Sequence, residues 1–190
     1  MNEVNHSLEP IPPGEDEYNE YERDVPEDIR LAATRWIAST KYNAFVTLTF
    51  CAESNLSYNR VARIFGRFLH RLKVQLFGRN SKKRLSLVPV IEKFDRDNLY
   101  RARGDLNTHV HVLIRFPGNP QEYKALVARL WKSSSRVCGD PAIYCPKDDG
   151  WFLTSKSESF SEEMAGYLTK TCTINTDAVL WQYVTLENGI

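Results

Sequence analysis

Six apolar residues, Val61, Ile64, Phe65, Phe68, Leu69 and Leu72, recur at steps of three and four and constrain the fold more than any other feature. That spacing is helical, so all six fall on one stripe that must be buried against another element. Gly78 can terminate the helix. The preceding segment, Ala44 to Phe50, alternates instead. Val46, Leu48 and Phe50 share one face of a strand, while Phe45, Thr47 and Thr49 share the other. A striped helix following an alternating strand predicts packing of helix on sheet.

The remaining elements follow from the same periods. Pro26 suits a first helical turn, and Ile29, Ala32, Ala33, Trp36 and Ile37 extend that helix to about Thr40. Leu85 to Phe94 and Asn107 to Phe116 read as strands joined by a long basic loop carrying Arg96, Arg101 and Arg103. Asn119 and Pro120 open a helix through Trp131. Residues 142–145 and 151–154 form a short predicted hairpin. Ser159 with Glu162 resembles a capping box for a helix to about Thr171, and Val179 to Leu186 supplies a last strand. The central order is the split β-α-β-β-α-β pattern of ferredoxin-like folds. It predicts an α+β domain over residues 26–190: a central antiparallel sheet of about five strands, with flanking helices packed on one face.

Charge is strongly segregated. Residues 1–28 hold ten acids against the single base Arg23, a net −9, so the +1 of the whole chain leaves +10 for residues 29–190. Residues 1–25 also contain Pro10, Pro12, Pro13 and Gly14 without an apolar period, which predicts a disordered acidic arm able to shield a basic surface. Between Asn55 and Ile91 there is no acid, while Arg60, Arg63, Arg67, Arg71, Lys73, Arg79, Lys82, Lys83 and Arg84 are all basic. A solvated helix face usually mixes signs, so this one suits a polyanion such as nucleic acid.

Several classes are disfavoured. No apolar run approaches the roughly 20 residues a membrane span needs, and Met1 to Glu9 lacks a basic start followed by an apolar stretch, so a cytoplasmic protein is expected. Cys51, Cys138, Cys145 and Cys172 form no C-x-x-C pair and read as reduced thiols. A phosphate-binding G-x-x-x-x-G-K-[ST] loop is also missing, so no motor and no small-molecule cofactor are expected.

Two short motifs carry the chemistry. In Thr108 to Ile114, strand alternation points His109 and His111 to one face and Val110, Val112 and Ile114 to the other. Two adjacent imidazoles can grip one cation, although a packed or surface histidine pair has the same pattern. In Tyr167-Leu168-Thr169-Lys170, helical spacing puts the phenol and the ammonium on one face, an arrangement that ordinary helix packing also produces.

With Phe45-Val46-Thr47-Leu48-Thr49-Phe50 before them, these motifs resemble, in order, the three motifs of the HUH endonucleases, in particular the single-tyrosine initiators of rolling-circle replication. The resemblance covers about residues 43–172. Tyr167 follows the histidine pair, unlike the order in conjugative relaxases. Insertion-sequence transposases share the order and remain an alternative, with Lys170 favouring the initiators.

The resemblance implies a tyrosine nuclease that cuts single-stranded origin DNA, joins Tyr167 to the 5′-phosphate and can rejoin strands. It implies Mg²⁺ or Mn²⁺ held by His109, His111 and a third ligand, for which Glu92 is the candidate; a surface acid at a strand end is the alternative. Lys170 would offset phenolate charge, and Glu163, four residues before Tyr167, would take its proton or pair with Lys170. Arg60, Arg63, Arg67, Arg71, Arg101 and Arg103 are candidate phosphate contacts. The partners would be an origin stem-loop and a host helicase and polymerase. From another class, a non-catalytic single-strand-binding domain would use Phe45, Tyr100 or Trp151 as stacking platforms.

Overall fold

The computed structural model describes residues 27–50, 56–93, 108–135, 141–142, 150–172 and 178–186. The expected acidic arm over residues 1–25, the loop arginines Arg96, Arg101 and Arg103, and Tyr100, Cys51, Cys138 and Cys145 lie outside the described residues. In chain order the elements are α1 (Glu27–Ala38), β1 (Ala44–Phe50), α2 (Tyr58–Phe77), β2 (Leu87–Lys93), β3 (Thr108–Ile114), α3 (Lys124–Lys132), β4 (Pro141–Ala142), β5 (Phe152–Thr154) and α4 (Phe160–Cys172). Short 3-10 turns occupy Pro120–Tyr123 and Trp181–Tyr183. The architecture is α+β, built on an antiparallel sheet. Among the described residues no helix is long and apolar enough to cross a membrane.

The sheet has the order β2-β3-β1-β4, with β5 also on β1. Residues 143–145 of the hairpin expected at 142–145 and 151–154 lie outside the described residues. Among the described residues, β4 pairs with Thr49 and Phe50 while β5 pairs with Ala44 to Val46, both antiparallel to β1. Both lie on the edge of β1 away from β3 and satisfy its outer backbone groups there. The last strand expected at Val179 to Leu186 is corrected: only two isolated bridges form, Val90 with Val179 and Leu87 with Thr185. Pro89 explains the break. Leu87 exchanges both of its backbone bonds with Thr185, and the Pro89 carbonyl accepts from Leu180 N–H at 3.0 Å. Proline offers no N–H on that edge, so the ladder lapses and the 3-10 turn at Trp181 intervenes.

Helices cover both faces of the sheet, not the single face expected. Val46, Leu48, Val110, Val112 and Leu87 pack with the α2 stripe and with Val127, Leu130 and Trp131 of α3. Phe45, Val88, Val90 and Leu113 pack on the other face with Ile37 of α1 and Phe160, Ala165 and Leu168 of α4. That second face is apolar over half its length and needs its own cover. The two helices covering it are bridged by the Thr34 and Thr169 hydroxyls, 2.8 Å apart.

The loop entering β1 is tied to the start of α4. Tyr42 N–H donates to Ser161 Oγ at 2.9 Å, and the Ser161 hydroxyl reaches the Tyr42 carbonyl at 3.3 Å. The Tyr42 ring is buried, and desolvation pushes its phenol up to about 12, with the Thr40 hydroxyl countering in part. Across the sheet, Tyr183 lies over the backbone of α2. Its hydroxyl donates to the Ala62 carbonyl at 3.0 Å and stands where a Cβ on Gly66 would be.

Two predictions follow from this packing. Gly66→Ala should destabilise the protein by about 1–3 kcal/mol in urea titrations through overpacking against Tyr183. Gly166→Ala, with open space at the added methyl, should instead stabilise α4 by about 0.5–1 kcal/mol. As for pH, the folded state holds the Tyr42 proton more tightly than the unfolded chain. Stability should therefore fall as pH rises from 10 to about 12, by roughly 2–3 kcal/mol. Tyr42→Phe should lack this loss in denaturation curves measured across that range.

Candidate functional site

The site is built from three rows across the centre of the sheet. Residues directly opposite on neighbouring strands project to the same face, and the registers here are unambiguous. Glu92, His109 and Thr49 form the first row, Val90, His111 and Thr47 the second, and Val88, Leu113 and Phe45 the third. The face thus grades from polar to apolar. The apolar row lies under α4, and the polar row lies beyond it.

His111 is the centre of this arrangement and is only 4% exposed. Its Nε2 lies 2.8 Å from Glu92 Oε2, and its Nδ1 lies 3.0 Å from Thr47 Oγ1. Glu92 therefore reaches diagonally, past its register partner His109, to the imidazole in the next row. The His109 ring lies nearly parallel to that of His111 at 6.0 Å, and the Phe45 ring stacks on the far side of His111 at 5.4 Å. With an ionised Glu92, which can only accept, a neutral His111 must carry its proton on Nε2 and accept from Thr47 at Nδ1.

Tyr167 enters from above. Its ring stands edge-on to His111, with centroids 5.5 Å apart and planes at 88°, and edge-on to Phe45 at 5.7 Å and 89°. These contacts orient the ring, yet Tyr167 remains 45% exposed, so a substrate can reach it. Leu168, the next residue, is fully buried and anchors α4 to the sheet. The fold therefore brings together four of the residues singled out in the sequence: Glu92, His109, His111 and Tyr167.

The other candidates stand differently. Lys170 is exposed in the last turn of α4, where its charge complements the helix dipole, one turn beyond Tyr167. Glu163 lies in the first turn of α4, where its carboxylate accepts from the Ser159 hydroxyl. Arg60, Arg63, Arg67 and Arg71 lie on α2, which packs on the opposite face of the sheet. Arg71 donates through Nη1 to the carbonyl (2.6 Å) and hydroxyl (2.9 Å) of Ser133 at the end of α3. Phe45 and Trp151 are each buried to 4% exposure, which unsuits both as base-stacking platforms.

Two contributions were not foreseen in the sequence, Thr47 as partner of His111 and Phe45 as support for both His111 and Tyr167. Both residues lie in the first-motif strand and share parity with Thr49 on β1, which acquires this meaning once β1 is aligned with β3.

Two imidazoles and a carboxylate on one sheet face are a donor set suited to a divalent cation. Adjacent ligands around Mg²⁺ at ~2.1 Å stand about 3 Å apart, close to the observed 2.8 Å between His111 Nε2 and Glu92 Oε2. Among the described residues no group of three or more such side chains is already gathered around one point, so binding would draw His109 in toward the other two. Thr47 could accommodate it, because its hydroxyl can accept from an Nδ1–H once Nε2 turns to a metal. Comparison with protein-family models, with curated proteins and with solved structures finds no match to this chain.

The hydrogen bonds predict the tautomer of a neutral His111 ring. In metal-free protein, the two ring ¹⁵N shifts of the neutral imidazole should report the Nε2–H tautomer, and Glu92→Ala should shift the ring toward a mixture. Identical imidazole spectra for the two proteins would show that this pair does not form in solution.

Proposed function

We propose that this chain is a metal-dependent endonuclease for single-stranded DNA that acts as a rolling-circle replication initiator, with Tyr167 as its nucleophile. One observation carries the reading: the exposed Tyr167 ring rests on His111, in the same cluster as His109 and Glu92, although helix and strand are remote in the chain. Also in support, β1-α2-β2-β3-α3-β4 follows the order of an HUH domain, with the histidine pair on the central strand.

His109, His111 and Glu92 would hold Mg²⁺ or Mn²⁺. When bound, the cation polarises the scissile phosphate as a Lewis acid. The remaining steps belong to the chain. Phe45 and His111 hold the phenol ring edge-on, limiting the directions from which Tyr167 Oη can approach phosphorus. Oη loses its proton and bonds to phosphorus as the P–O3′ bond breaks, leaving a 5′-phosphotyrosine while the departing oxygen takes up a proton as a 3′-OH. Lys170, one turn along α4, offsets charge on the phenolate. Reversal, with a 3′-OH attacking the phosphotyrosine, rejoins strands. Glu163 is assigned no catalytic step, since Ser159 holds its carboxylate.

The physiological substrate would be an origin stem-loop in a cytoplasmic replicon, opened by a host helicase and copied by a host polymerase. The same chemistry would serve transposition; paired element ends beside the gene, instead of a stem-loop, would point there.

Covalent capture tests the reading. Incubation with Mn²⁺ and single-stranded DNA containing the stem-loop should yield an adduct that survives denaturing electrophoresis. Tyr167→Phe should abolish the adduct, and His111→Ala should reduce its formation by at least a hundredfold. An adduct persisting in Tyr167→Phe, or none in wild type with DNA flanking the gene, would overturn the assignment.

A further inference from the structure

The arginines of α2 do not serve the Tyr167 site directly. α2 buries its apolar stripe against the face of the sheet that carries Val46, Leu48, Val110 and Val112, whereas the histidines and Tyr167 occupy the other face. A sheet and a helical layer separate the two, on the order of 15–20 Å. On its outer side α2 borders a cavity of about 610 Å³, lined by Arg63, Gly66, Arg67, His70 and Arg71 with Tyr183 as part of its wall. A second hollow of about 260 Å³ shares His70 and Arg71 and adds Arg79.

The result is a basic groove along a helix of 20 residues, roughly 30 Å long. Arg71 is held by Ser133 and fixes the groove wall between α2 and α3. Arg63 and Arg67 stand one turn apart, and among the described residues neither forms an ion pair or a side-chain hydrogen bond. The α2 segment contains no acid to neutralise them.

We infer that this groove binds the sugar-phosphate backbone of duplex DNA, a segment distinct from the single strand cut at Tyr167. The inference rests on the nuclease reading for its biological setting but not for its chemistry. Charge selects a polyanion, and a groove that offers a row of cations rather than a row of ring faces suits the duplex. Proteins that hold unstacked single strands present aromatic faces to successive bases. Here Tyr183 packs its ring on Phe65 at 5.4 Å and binds Ala62 through its hydroxyl, which leaves the exposed His70 imidazole as a single ring beside Arg63, Arg67 and Arg71 among the described residues of the lining. Cations that meet only phosphate hold a duplex without reading its sequence. In a stem-loop, such a groove would grip the stem while the loop crosses the sheet edge toward Tyr167.

The test compares the full chain with the Arg63→Glu/Arg67→Glu double variant by fluorescence anisotropy, using a 20-base-pair blunt duplex and a 12-nucleotide single strand in EDTA. Omitting metal makes binding independent of cleavage, so failure of the nuclease reading leaves the result interpretable. The ratio of duplex to single-strand affinity should fall at least tenfold in the variant, and the salt slope for duplex binding should drop by about two. Arg63→Gln/Arg67→Gln, less disruptive to folding, should move both in the same direction. Equal losses on both probes would make the groove a single-strand path and overturn the inference. Unchanged duplex affinity in folded variants would overturn it too, including the case where the acidic N-terminal segment occupies the groove.

Discussion

β3 has a neighbour on each side, and its register with both sorts every side chain it carries. His109 faces Thr49 and Glu92, and His111 faces Thr47 and Val90, while Val110 and Val112 turn into the core under α2. A slip of one residue would drive both imidazoles into that core and bring the valines out. The penalty for burying two imidazoles among Leu48, Phe65 and Leu72 exceeds any gain available from the slipped pairing. The hydrophobic contacts on one face therefore hold the polar geometry on the other. His111 gains its two polar partners from strands on either side only because this alignment is fixed.

The same dependence separates what was readable in the sequence from what was not. The α2 stripe and the alternation in β1 and β3 are local patterns, and they located those elements to within a few residues of their observed ends. Shared parity brought Glu92, His109 and His111 to one face, since parity and pairing suffice for that. Thr47 and Phe45 share a face of β1 by the same parity, but the roles they take depend on register across strands. The pairing of β4 and β5 with β1 was not legible, since two short apolar runs near one another look alike whether they pair with each other or with a third strand. The second helical layer was missed for a related reason. Phe45, Val88, Val90 and Leu113 belong to three different strands, and their combined apolar area appears only when the strands are placed side by side.

Tyr167 meets two demands that ordinarily conflict. A nucleophile must be held still, and it must be reachable. Here Leu168 buries the helix while the Tyr167 ring touches Phe45 and His111 along its edges, leaving almost half the residue open. Support comes from ring contacts and from the helix. α4 is itself tied at its start to the loop before β1 through Ser161, and along its side to α1 through Thr169. Rigidity at this position is thus borrowed from three other elements.

Pro89 has a wider effect than interrupting one short ladder. The outer edge of β2 would otherwise present a regular row of donors and acceptors, a ready template for a strand from another molecule. Its carbonyl is already taken by Leu180, and no N–H stands beside it. At the opposite margin, β4 and β5 cover the two ends of β1. Among the described residues neither side of the sheet therefore offers an uninterrupted run for recruitment, which disfavours the growth of intermolecular sheets from its apolar centre.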